Sequence, residues 1–185
     1  SIYGLPPVEH KFGETHPTVN SELLYKIRHG NVKPKGEIDR FEGKTVFFLD
    51  GTKEDFDVIV ACTGFVLAHP FFNKTFLNYS SGPVPLYLKM LHPEYTNLFF
   101  VGMFQPLGCI WPGAEQQSKL AALALTGAWK RPSNIKKRCE REVTHPHMKQ
   151  IETSRHTITV DFHKFICDIK AEIKVARSSK KKCLI

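Results

Sequence analysis

The apolar positions change period along the chain. Over residues 17–29, Leu23, Leu24 and Ile27 recur at helical spacing on a polar background, with Thr15 or Ser21 placed as caps and Gly30 as the stop. β character follows. A short run at 31–35 precedes two segments, 37–41 and 45–49, joined across Glu42-Gly43-Lys44 as a hairpin, and Asp50-Gly51 marks a further turn. Asp57-Val58-Ile59-Val60-Ala61-Cys62 is apolar without alternation, which predicts a strand buried on both faces, as inside a parallel or mixed sheet. Residues 97–102 have the same character. Between these runs lies a loop-rich stretch with Pro70, Pro83 and Pro85 and a short apolar piece at 86–91. Helical spacing then predicts three helices: 114–130, preceded by Pro112-Gly113 and closed by Gly127; 132–148; and 161–175, with Asp161 placed as cap. Residues 1–16, rich in Pro, Gly and His, read as loop.

Two places in this pattern invite a ligand. A buried strand ending in Thr63-Gly64 brings the chain to the carboxyl edge of a sheet, where open α/β folds bind ligands. Thr63 offers a hydroxyl there, and Gly64 permits an unusual turn or a close approach. The second place runs from Gly102 through Gln105, Pro106 and Gly108 to Pro112-Gly113-Ala114-Glu115-Gln116-Gln117. Strand, glycine turn and helix start follow one another, so a flat ring could lie against bare backbone, near free amides at the helix start. The same glycines could serve only the turn, and Glu115 could simply complement the helix dipole.

Composition narrows the classes. The 185 residues are 42% hydrophobic and include 14 Phe, enough to bury a core, so global disorder is excluded. No uninterrupted apolar run is long enough to predict a membrane-spanning helix, and the first 20 residues do not resemble a signal peptide. The length and the start at Ser1 leave open that the chain is part of a longer protein. The net charge of +8 is local: residues 1–129 hold 11 Lys and Arg against 12 Asp and Glu, residues 130–185 hold 15 against 6. The basic run at Lys136-Lys137-Arg138, Arg141 and Lys180–182 could meet phosphate backbones or anionic lipid. Its simpler reading is a solvated helix face. The five cysteines form no C-x-x-C pair, so no zinc or dithiol site is expected, and reduced thiols of an intracellular protein are. Cys183-Leu184-Ile185 is one residue short of a prenylation motif. The sequons at Asn73 and Asn78 read as chance without an export signal.

Residues 57–65 resemble the D-x-I-[IV]-x-A-T-G-[YF] segment of flavin-containing monooxygenases, with Cys62 at the usual Ala. Residues 97–127 are similar to that family's N-L-x-F-x-G-x-x-Q-P-x-G, followed by P-x-x-E-x-Q and a helix. Leu5-Pro6-Pro7, the hairpin before Asp50-Gly51, and residues 155–161 with the final helix fit the same pattern. The resemblance implies an α/β fold, part of a two-dinucleotide-binding (Rossmann-like) flavoprotein with mixed strands and C-terminal helices. It implies an enzyme that uses FAD, NADPH and O₂ to oxygenate nucleophilic nitrogen or sulfur of a small molecule through a hydroperoxide at flavin C4a. No acid–base dyad is expected, because the cofactor carries the chemistry. Carried onto this chain, Thr63 and Gly64 lie where the nucleotide domain returns to the FAD domain. Gly102, Gln105 and the helix start at 112–117, with Pro112, Gly113, Glu115 and Gln116, lie beside the flavin, and Trp111 could face substrate.

The family's two G-x-G-x-x-G/A fingerprints are both missing. The expected organisation is therefore the end of an NADPH domain (1–63), the returning part of a FAD domain (64–130) and basic C-terminal helices (131–185), inactive alone. Two other readings stay open. One is another two-dinucleotide flavoprotein, such as a disulfide-reductase relative, which would want a cysteine pair. The other is a non-catalytic basic module binding nucleic acid or a membrane surface through residues 130–185.

Overall fold

The structure, a computed structural model, describes residues 3–11, 13–15, 19–73, 75–77, 82–148, 150 and 154–182. The Asn78 sequon and Cys183 lie outside the described residues, as do the side chains of Lys180–182. The chain is mixed α/β and divides into two compact units, residues 1–13 with 17–66, and residues 14–16 with 67–185.

The first unit holds helix α1 (Leu23–Arg28) and a three-stranded antiparallel sheet, β1 (Ile38–Glu42), β2 (Thr45–Phe48) and β3 (Lys53–Asp55), in that order. The hairpin lies where the sequence places it: Glu42 faces Thr45 across Gly43-Lys44. Alternation along β2 buries Val46 and Phe48, while Phe47 on the other face stacks on the Arg40 guanidinium, 3.9 Å from the ring centroid. Helix α1 is shorter than predicted. Its cap is Asn20, whose Oδ1 accepts the N–H groups of Glu22 and Leu23 at 2.8 and 2.7 Å, rather than Thr15 or Ser21. Leu23 and Leu24 stay exposed, and no residue of α1 is buried.

Two predicted strands do not form. Neither residues 31–35 nor residues 57–62 join a ladder among the described residues. Val58, Ile59 and Val60 are 76%, 55% and 76% exposed. Burial on both faces needs strands alongside and layers above and below, and the described residues supply none.

The second unit carries the main core. Residues 86–91, read from sequence as a minor piece, form a tight buried turn at its centre, bridging Tyr87 to Leu91 and Leu91 to Phe99. That bridge replaces the strand predicted at 97–102. A short parallel pair follows, β4 (Gln105–Pro106) with β5 (Thr159–Val160). Helix α2 (Trp111–Leu125) begins three residues before the predicted start, since Pro112 needs no N–H in a first turn. Helix α3 (Ile135–Thr144) stops at His145 because the residue before Pro146 is driven out of helical backbone. Helix α4 (Phe162–Lys182) starts as predicted, with Asp161 Oδ1 accepting the Lys164 N–H at 2.9 Å. It continues past residue 175 because no Gly or Pro interrupts it. Leu120 of α2, Cys139 of α3 and Phe165, Ile169 and Ile173 of α4 close on Met90, Leu91 and Phe104.

Candidate functional site

Gln117 organises the glycine turn. It lies on the inward face of α2 with Gly113 and Leu120 and is fully buried, at 0% exposure. Its Oε1 accepts the Gly102 N–H at 2.8 Å, and its Nε2 donates to the Leu88 carbonyl at 2.9 Å. Leu88 and Lys89 both have φ near +53°, a left-handed conformation that costs a bulky side chain energy and persists only where neighbours enforce it. The enforcement is visible: the Leu88 N–H also donates to Glu142 Oε1 at 2.6 Å. One buried amide thus joins two turns, and a carboxyl from α3 holds the far side. The sequence reading includes Gln117 in the helix start at 112–117 but gives it no bridging part, and it assigns no role to Leu88 or Glu142. The signal for Gln117 is its place as the polar member of an otherwise inward-facing stripe at 113, 117 and 120.

The predicted site residues divide. Gly102 (φ +83°) has open space where a Cβ would stand, so its bare face remains available. Gly113 does not: a Cβ there would run into the Phe104 ring, so this glycine serves helix packing rather than ligand approach. The amides expected to be free at residue 114 are already engaged, Gly113 and Ala114 both donating to the Ile110 carbonyl at 3.1 Å. Glu115 lies past the first turn and pairs with Lys119 at 2.6 Å on the exposed side, which holds its carboxyl below the usual range. Gln105 sits in β4 against Thr159. Pro112 and Gln116 line a groove of about 340 Å³ with Phe162, His163, Ile166, Cys167 and Lys170 of α4. Trp111 is exposed at the start of α2. Thr63 and Gly64 belong to the first unit and are exposed.

The electrostatics are structural in character. Burial pushes Glu142 up to about 7, opposed by the Leu88 N–H and by the charge of Lys89. Burial also lowers Lys89 and His147. Glu172 is the opposite case. Burial would raise it, yet hydrogen bonds from Tyr87 Oη (2.7 Å), Trp129 Nε1 (2.9 Å) and Arg138 Nη1 (2.7 Å) win and hold it below the ordinary value. Part of the basic cluster is therefore paired: Arg138 inward with Glu172, and Lys136 on the exposed surface with Glu94 at 3.1 Å. Cys139 is buried and its thiol is pushed up to about 11 by burial. Among the described residues no group of three or more His, Cys, Asp or Glu could hold a metal, and no helix is long and apolar enough to cross a membrane.

The site thus consists of a glycine turn braced from behind by Gln117 and, at the start of α2, a groove shared with α4. The family described as flavin-binding monooxygenase-like matches residues 1–181. The chain belongs to this family. Among its relatives, Flavin-containing monooxygenase 5 of Rattus norvegicus is 34% identical over 166 residues, 87% of this chain and 31% of the relative. Flavin-containing monooxygenase 5 of Homo sapiens is 31% identical over the same coverage. Dimethylaniline monooxygenase [N-oxide-forming] 2 of Oryctolagus cuniculus is 35% identical over 134 residues, 71% of this chain and 25% of the relative. The chain thus spans about a third of the length of the flavin-binding monooxygenase-like relatives it matches.

Proposed function

We propose that this chain supplies the C-terminal part of a flavin-dependent monooxygenase, with residues 1–63 ending an NADPH domain, 64–130 returning to a FAD domain and 131–185 forming helices behind it. The observation that carries the reading is the family match over residues 1–181, in which the Gly102 turn is tied to the second turn of α2 by Gln117. The residues present fit one wall of a flavin site. Gly102 leaves its face bare, and Pro112 and Gln116 border an open groove, whereas Gly113 is filled by Phe104 and takes no part.

The chemistry that FAD supplies when bound is acceptance of a hydride from NADPH, reaction with O₂ and transfer of one oxygen atom to a nucleophilic nitrogen or sulfur. The chain's own residues orient and exclude. Gln117 fixes the Gly102 backbone by occupying its N–H, so the turn cannot relax toward solvent. Glu142, Leu88 and Gln117 make the support behind that turn rigid through buried hydrogen bonds. Neither dinucleotide fingerprint occurs in this sequence, so no glycine-rich turn is offered to a pyrophosphate.

The chain alone is therefore expected to be inactive. Purified protein incubated with FAD and NADPH should show no flavin absorbance after desalting and no substrate-dependent NADPH oxidation, with a tertiary amine and a thioether as probes. Stoichiometric, tightly held flavin would overturn the reading of this chain as an incomplete site.

A further inference from the structure

Behind the 88–89 turn, Lys89, Glu142 of α3, His147 beyond it, Val160 of β5 and Phe165 of α4 line a small cavity of about 10 Å³. Its polar walls are short of partners. Lys89 is 9% exposed, and among the described residues its ammonium makes one hydrogen bond, to the Thr157 carbonyl at 3.4 Å, although such a group carries three donors. His147 Nε2 lies 3.2 Å from Asp168 Oδ2, which places the ring proton on Nε2 and leaves Nδ1 an acceptor. Burial lowers His147 and so favours this neutral ring. Its Nδ1 is buried and has no partner among the described residues. Burying such groups unpaired is unfavourable, and most buried polar atoms bond to protein or to ordered water.

We infer that this cavity is a binding site for one water molecule, which joins Lys89, Glu142 and His147 into a single proton-sharing cluster behind the turn. Size sets the occupant, because a cavity of about 10 Å³ admits one water-sized sphere and nothing larger. Chemistry sets it too. Lys89 offers a donor, His147 Nδ1 an acceptor, and the Glu142 carboxyl either. A molecule that both accepts and donates fits there, whereas a halide would meet the carboxylate and a metal ion the ammonium. The water accepts from Lys89 Nζ and donates to His147 Nδ1. With Glu142 protonated, the carboxyl O–H donates to the water; with Glu142 ionised, the water turns and donates its second hydrogen to the carboxylate. Glu142 Oε1 accepts the Leu88 N–H in both states, so the turn stays held while the charge changes. The other charges that face the cluster are Asp168 and Lys164 of α4 and Asp161 before it. Burial places the Glu142 titration at about 7, so the turning of the water follows pH near neutrality. None of this depends on flavin.

Nuclear magnetic resonance on this chain tests the site. The Val160 methyl and Phe165 ring protons line the cavity and do not exchange with solvent, so Overhauser effects between them and water report a molecule held there. Cross-peaks with the sign of a water that stays longer than the chain tumbles are expected, together with a hydrogen-bonded His147 Nδ1 in the nitrogen shifts. The His147 ring, the Lys89 ammonium and the Leu88 amide should share one inflection near pH 7. Glu142→Gln should abolish that inflection in all three and keep the water cross-peaks. His147→Phe replaces the acceptor with an apolar ring edge and should remove the cross-peaks, its fold being checked by circular dichroism. Lys89→Met keeps the side-chain length, loses the donors and should remove them too, which serves where the first variant does not fold. Absence of water cross-peaks in the parent, or their survival in a folded His147→Phe, as relay through the Lys89 ammonium would give, would overturn the inference. So would separate midpoints for the three reporters. Shifts of the Val160 and Phe165 signals when chloride replaces sulfate in the buffer would assign the cavity to an anion and overturn it equally.

Discussion

Replacing Glu142 by Gln isolates one buried charge. Glu142 accepts the Leu88 N–H at 2.6 Å and faces Lys89 from the same turn and Asp168 from α4. Burial raises its folded value to about 7, against an ordinary 4.5. At about 1.4 kcal/mol for each tenfold change in affinity, folding favours the protonated carboxyl by about 3 kcal/mol. The native state then holds the proton longer than the unfolded chain does. The stabilisation is fully present below pH 4.5, declines as pH rises and is lost above about pH 7. Glutamine keeps the acceptor oxygen for Leu88 and removes the titration. His147, lowered by burial, titrates in an overlapping window with the opposite sign, and it remains in both proteins, so the difference between them reports Glu142. Both tryptophans, Trp111 and Trp129, lie in the second unit, so their fluorescence in urea follows that unit alone. The parent should lose stability relative to Glu142→Gln by about 3 kcal/mol between pH 5 and pH 8. Parallel pH profiles for the two proteins would refute the argument.

Three further substitutions probe the frame. Gln117→Leu leaves the half-buried Gly102 N–H and the buried Leu88 carbonyl without their partner and should cost about 2–4 kcal/mol by urea denaturation; a loss below about 1 kcal/mol would show that the two turns hold without the bridge. Gly113→Ala should cost about 1–3 kcal/mol through its collision with Phe104, and the double variant with Phe104→Leu should recover part of that; an unrecovered loss would point to backbone rather than packing. Asp161→Ala removes the cap of α4 and should cost about 1 kcal/mol, visible as a lower urea midpoint with an unchanged slope.

Much of the local structure was legible in the amino-acid order. The hairpin across Gly43-Lys44, the turn at Asp50-Gly51, the α2 helix ending near Gly127 and the Asp161 cap all depend on backbone preferences and hydrogen bonds spanning a few residues. The flavin-monooxygenase resemblance was equally legible, because it resides in short runs of adjacent residues. Burial was less so. Residues 57–62 read as a core strand and stand exposed, because a run of Val and Ile states what it could bury and not what lies opposite. Residues 86–91 read as a short apolar piece within a loop-rich stretch and form part of the main core.

The bracing of the candidate site follows the same division. Gln117 meets Leu88 across 29 positions, Glu142 meets Leu88 across 54, and Glu172 meets Tyr87 across 85. Nothing in a helical period or a turn propensity reaches that far. The sequence alone established the family, the turns and the helices, since these rest on neighbours along the chain. The chain's folding into tertiary contacts decided which polar groups are buried, which glycine faces open space and which carboxyl titrates near neutrality, since each depends on atoms brought close from distant positions.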